Sequence, residues 1–116
     1  MSERKGVLLL MFDLPMVTAE DRREYYHFKK NLRQKGFVQL QESCYLKLIR
    51  NISSMEAVMR ETKHFMPKNG NVSILPMNAS VFSAMRCMCG EPFDIQLFTG
   101  DVLFMLLLSL VDRKAR

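Results

Sequence analysis

Residues 6–15 read GVLLLMFDLP, seven uncharged residues bounded by Lys5 on one side and by Asp13-Leu14-Pro15 on the other. A half-exposed strand alternates apolar and polar side chains, whereas an unbroken apolar run of this length is the pattern of a strand central in a sheet. Residues 6–12 are therefore the first strand. Just downstream, Thr18 offers a cap hydroxyl with Asp21 three residues on, close to a capping box, and Gly36 supplies a stop. These signals predict a first helix over residues 19–35. Its stripe of Tyr25, Phe28 and Leu32 has the spacing that faces a sheet.

Residues 37–49, FVQLQESCYLKLI, are rich in strand formers. The polar Gln41-Glu42-Ser43 in their middle suits a bulge or bend, so the stretch reads as one bent strand. Ser53-Ser54-Met55-Glu56 matches a capping box, and Met55, Val58, Met59, Thr62 and Met66 follow at helical spacing until Pro67. A second helix over residues 54–65 follows, its methionines read as core filling. Residues 68–71 make a turn. Residues 72–77 make a strand that Pro76 confines to an edge or to its own end, and Asn78 caps a short helix reaching residue 84. A strand-like run resumes at 85–88, Gly90-Glu91-Pro92 breaks it, and residues 101–108 form a last, very apolar segment.

The expected architecture is an α+β, ferredoxin-like βαββαβ sandwich with an extra C-terminal strand, one domain over residues 1–116. An apolar terminal strand left unpaired invites aggregation. The economical arrangement adds it to a sheet edge of a second copy, which predicts a symmetric homodimer.

The 116 residues are 48% apolar and carry 17 Lys and Arg against 12 Asp and Glu, a net charge of +5. Such a balance favours a polyanionic partner, although a modest positive charge also serves solubility alone. Cys44, Cys87 and Cys89 are an odd number, and nothing near Met1 has the regions of a secretory signal, so a reducing cytoplasm is expected. Cys87 and Cys89 form a lone C-x-C with only His27 and His64 elsewhere, which suits buried thiols better than a zinc site. The apolar run 102–108, extended to 111 only across Ser109, is too short to cross about 30 Å of hydrocarbon.

The stretch Val7 to Pro15, the Arg22-Arg23-Glu24-Tyr25 helix, Gly36-Phe37-Val38 and Gln41-Glu42-Ser43-Cys44-Tyr45 together resemble the CRISPR-associated endoribonuclease family, the partner of the spacer integrase. The Phe-Asp-Leu-Pro and Gln-Glu-Ser-x-Tyr wording is most similar to members from single-effector, type II systems. The similarity extends weakly through Lys68-Asn69-Gly70-Asn71-Val72 and covers roughly residues 5–75. The resemblance implies a ferredoxin-like homodimer that bridges two integrase dimers and holds a duplex DNA protospacer, with a metal-dependent nuclease activity on RNA or DNA in some members. The family's signature acid at the end of strand one falls on Asp13, which the resemblance makes the catalytic, metal-binding residue, with Mg²⁺ as the cofactor.

Mg²⁺ takes oxygen ligands and keeps several waters, so one carboxylate per subunit with substrate phosphate suffices to hold it. An acid before Leu-Pro also serves simply to shape the turn leaving a strand. The chain has no H-E-x-x-H, G-x-S-x-G or P-loop motif that would supply another catalytic set. For nucleic acid, Arg22, Arg23, Lys29, Lys30 and Arg33 are the candidate phosphate contacts; the alternative is a solvated face paired with Glu20, Asp21 and Glu24. Tyr25, Tyr26, Phe37 and Tyr45 are candidate stacking rings, with Tyr25 and Phe37 assigned to the core. The competing functions are a nuclease outside CRISPR and a small-molecule-binding regulator, since this fold hosts many unrelated activities.

Overall fold

The computed structural model describes residues 4–91. Strand β1 (Gly6–Asp13) is paired along both edges. It runs antiparallel to β3 (Cys44–Ile49), from Gly6 opposite Ile49 to Met11 opposite Cys44, and antiparallel to β4 (Asn71–Asn78), from Gly6 opposite Asn78 to Asp13 opposite Asn71. Strand β2 (Val38–Gln41) pairs with the far edge of β3, giving the sheet order β2-β3-β1-β4. Helix α1 (Ala19–Gln34) links β1 to β2, and α2 (Met55–Thr62) links β3 to β4. The chain therefore has the α+β, ferredoxin-like order expected from its sequence.

The two-residue period of β1 divides its side chains between two layers. Leu8, Leu10 and Phe12 join Tyr25, Phe28 and Leu32 of α1, together with Tyr45, Ile49 and Met55, in the larger core. Val7 lies on the opposite face with Leu46, Ala79 and Phe82, flanked by the partly buried Leu9, Val38, Leu40, Leu48 and Met77. That second face is covered only in part, by the short helix α3 (Ala79–Phe82), and Met11 and Leu75 remain 39% and 49% exposed.

Several expectations need correction. Residues 37–49 are not one bent strand but the β2–β3 hairpin, whose register shifts between Gln39 and Gln41. The polar Glu42 and Ser43 turn the chain instead of bending it. The second helix is shorter than expected, with 3-10 turns at Ile52–Ser54 and Lys63–Phe65 flanking α2. Its expected capping box does not form. Ser53 and Ser54 donate their hydroxyls back to the Asn51 side chain and carbonyl, and Asn51 accepts the Ser53 N–H. Helix α3 stops at Phe82, and residues 85–88 form no strand, with Met85 and Met88 exposed. The thiols are not buried: Cys44 and Cys87 are half-buried and Cys89 is exposed. The expected strand at 101–108 lies outside the described residues, as does any pairing it would make.

Gly70, in the turn before β4, has a φ of +97°, and a Cβ there would sit 2.7 Å from the Asp13 carbonyl and from the Leu14 side chain. Both the left-handed backbone and the close approach require glycine. Gly70→Ala is expected to destabilise the fold by about 1–3 kcal/mol, read as a lower urea midpoint with an unchanged slope.

Candidate nucleic-acid interface

Helix α1 starts with a reciprocal cap. The Thr18 hydroxyl accepts the Asp21 N–H at 3.0 Å, and the Asp21 carboxylate accepts the N–H groups of Thr18 and Val17 at 3.0 and 3.1 Å. The Thr18 backbone N–H is the main cause holding the Asp21 carboxyl below its ordinary pKa. At the other end, Lys47 Nζ donates to the Lys35 carbonyl at 2.6 Å, placing a cation at the helix C-terminus, where the macrodipole favours one. Partial burial pulls the Lys47 pKa down, with Glu61 opposing it.

The inner face of α1 is fixed by rings and one carboxylate. Phe12 of β1 meets Phe28 edge-on at 5.3 Å and Tyr25 at 6.0 Å. The Tyr25 hydroxyl donates to Glu42 Oε1 at 2.9 Å, so the β2–β3 turn is tied to the helix. Lys29 joins this cluster, 3.8 Å from the same oxygen and 5.0 Å above the Tyr25 ring. Burial, then the Glu42 contact, pushes the Tyr25 hydroxyl up to about 12. Tyr45 is fully buried, its hydroxyl without a hydrogen-bond partner among the described residues. Burial raises its pKa, and the charge of the nearby Arg33 opposes the shift.

The outer face sorts charge by sign. At about 100° per residue, Arg22, Arg23, Lys30 and Arg33 fall within an arc of roughly 100° on the side away from the sheet. All four are exposed. Glu20, Asp21 and Glu24 lie off that arc; the Asp21 carboxylate serves the cap, Glu24 accepts the Lys68 N–H at 3.2 Å, and Glu20 is exposed. No ion pair joins these four cations to the helix acids among the described residues, although Arg22 is near enough to Asp21 to help lower its pKa. Of the sequence candidates, Lys29 is turned to Glu42, and Arg22 donates one N–H back to the Val17 carbonyl at 3.3 Å. Arg23 and Lys30 make no hydrogen bond or ion pair with any described residue. Tyr45, a stacking candidate, is core; Tyr26 is 60% exposed.

Asp13 is exposed at the end of β1, opposite Asn71, on the same sheet face as Met11. No group of three or more His, Cys, Asp or Glu that would enclose a metal ion occurs among the described residues. One exposed carboxylate fits a hydrated cation that keeps its waters and takes phosphate oxygen, and does not fit a closed protein cage. Glu42 and Lys47 escaped the sequence reading because their partners lie 17 and 12 residues away, across elements.

The family model for the CRISPR associated protein Cas2 matches residues 7–85, which takes in Asp13 and all five cations of α1 and extends past the expected limit at residue 75. The CRISPR-associated endoribonuclease Cas2 of Streptococcus mutans serotype c is 39% identical over 84 residues, 72% of this chain and 78% of that protein. That of Ligilactobacillus salivarius is 34% identical over 84 residues, covering 72% and 83%. That of Treponema denticola is 30% identical over 99 residues, covering 85% and 98%.

The Tyr25–Glu42 contact has a signature in alkali. The folded pKa of Tyr25 lies above its ordinary 10.0, so between pH 10 and about 12 the folded state holds the proton more tightly and stability falls as pH rises. Tyr25→Phe is expected to cost about 1 kcal/mol at neutral pH through loss of the hydrogen bond and to flatten this alkaline fall, leaving the part due to Tyr45. Urea midpoints at about pH 9 and about pH 11 for both proteins test it. An equal fall in the two would refute the assignment.

Proposed function

The chain belongs to the CRISPR associated protein Cas2 family, and from that premise we propose that it acts as a homodimer in spacer acquisition, binding duplex DNA and bridging integrase dimers. The observation that carries the DNA-binding part is the one-sided cationic arc of α1, with Arg22, Arg23, Lys30 and Arg33 exposed and Asp21 and Glu24 hydrogen-bonded to backbone N–H groups off the arc. Phosphate contacts of this kind give affinity without reading sequence. Lys29, expected among the phosphate contacts, is paired with Glu42 instead and stands outside the arc. Two-fold symmetry would double the arc into a surface long enough to follow a duplex backbone.

Support for a second copy comes from the sheet face opposite the helices. Leu9, Leu48 and Met77 are only partly buried there, and Met11 and Leu75 are exposed, an apolar patch a partner would cover. Asp13 stands on that face, so a two-fold across it would let each copy contribute one carboxylate to a shared centre.

The relatives are named endoribonucleases, and for this chain we assign Asp13 as the protein ligand of Mg²⁺ in a phosphodiester hydrolase. When bound, such a cation supplies Lewis-acid polarisation of the phosphodiester and a lowered pKa for a coordinated water. The chain's own parts are the Asp13 carboxylate as anchor and the α1 cations as the grip on the strand. Gly70 lets the β4 turn lie directly against the Asp13 carbonyl, which keeps the anchor in place.

Fluorescence anisotropy with duplex DNA at two salt concentrations tests the reading. Wild-type protein should bind and lose affinity steeply with salt. The Arg23→Glu/Lys30→Glu pair should bind at least about ten-fold more weakly, with the log–log salt slope reduced by about one unit per lost contact. Asp13→Ala should keep dimer and duplex binding while losing Mg²⁺-dependent cleavage, and spacer insertion with the integrase should persist. Absence of salt-sensitive binding by the wild-type dimer would sink the DNA-binding proposal.

A further inference from the structure

Within the cationic arc of α1 stands one ring. Tyr26 lies near the middle of the arc, between Arg22 and Arg33 on one side and Arg23 and Lys30 on the other. It is 60% exposed, although the same helix buries its neighbour Tyr25 almost completely. The two rings meet edge-to-face, with centroids 5.2 Å apart and planes at 87°. Tyr25 is itself held by its hydrogen bond to Glu42, so Tyr26 rests on a fixed support. Beside it the surface forms a shallow depression lined by Arg22, Arg23, Tyr26 and His27 together with Glu20 and Glu24.

An exposed ring flanked by four cations has the chemistry of a stacking platform. The ring offers a π-face to a base, and the flanking cations take the phosphates on either side. The interior of a duplex cannot use such a platform, because its bases already stack on each other. A strand with unpaired bases can.

We propose that Tyr26 stacks on an unpaired nucleobase, so that the α1 surface binds single-stranded nucleic acid, or the unpaired end of a duplex, through base contact as well as phosphate contact. This rests on the nucleic-acid reading above and adds to it a class of ligand. The cations hold any strand; the ring distinguishes one with free bases. Tyr26 carries no part of the core, so its removal leaves the fold and the charge of the arc intact.

The experiment compares wild-type protein with Tyr26→Ala, Tyr26→Leu and Tyr26→Phe by anisotropy, at one salt concentration, on a blunt duplex and on single-stranded DNA and RNA of one of its sequences. Tyr26→Ala and Tyr26→Leu should weaken binding to both single strands by about ten-fold and leave the duplex within about two-fold. Tyr26→Phe should restore single-strand binding, since the π-face and not the hydroxyl is used. A 2-aminopurine in the single strand should be quenched by wild-type and Tyr26→Phe protein and not by the alanine variant. Three results would overturn the proposal: equal loss on duplex and single strands, failure of phenylalanine to rescue, or no change in any variant while Arg23→Glu/Lys30→Glu weakens binding to all three ligands. In the last case the nucleic-acid surface stands and the stacking role falls. If wild-type protein bound none of the three ligands, the underlying reading would fall with it.

Discussion

Strand β1 is paired along both edges and covered by an apolar layer on one face and in part on the other, and the sheet is built outward from it. Val7, Leu8 and Leu10 are fully buried because helices α1 and α2 lie on one side and the smaller Val7–Leu46–Phe82 layer on the other. Each such side chain removed from water contributes roughly 1.5–3 kcal/mol, so this strand anchors the two cores together. The same strand delivers Asp13 to the rim. Once its apolar run ends, the alternation that buried Phe12 leaves the next side chain in solvent.

Helix α1 divides its labour by angle. Tyr25, Phe28 and Leu32 dock it on the sheet, Lys29 and Tyr25 tie it to the hairpin turn through Glu42, and the opposite arc is left to Arg22, Arg23, Lys30 and Arg33. Of the three acids near the helix start, Asp21 is drawn to the N-terminal cap and Glu24 to the Lys68 N–H. Structural hydrogen bonds thereby set the electrostatics. Satisfying the helix start and the neighbouring turn fixes where the Asp21 and Glu24 carboxylates sit, off the arc that carries the cations.

The two faces of the sheet play unequal parts. The helix-covered face holds an aromatic cluster of Phe12, Tyr25, Phe28 and Tyr45 at its centre. On the other face a four-residue helix shields Val7 and Leu46 but leaves Met11 and Leu75 in solvent. That asymmetry puts the Asp13 side of the sheet where another molecule can reach it.

The sequence by itself determined the elements and their faces. The apolar run at 6–12, the Thr18 cap, the Tyr25–Phe28–Leu32 stripe and the confinement of Pro76 to an edge strand are all local or periodic signals, and a sheet with helices on it follows from them. The family resemblance was legible for the same reason, since it rests on contiguous words such as Phe-Asp-Leu-Pro. Whether Gln41-Glu42-Ser43 bends a strand or reverses it could not be read locally, because the reversed chain is held by β3 pairing with β1 more than 30 residues away. The withdrawal of Lys29 from the outer arc to Glu42 is likewise an outcome of packing. Composition and spacing count charges and rings; only the folded chain decides which of them are already occupied, because the competing partners are brought together by contacts distant in sequence.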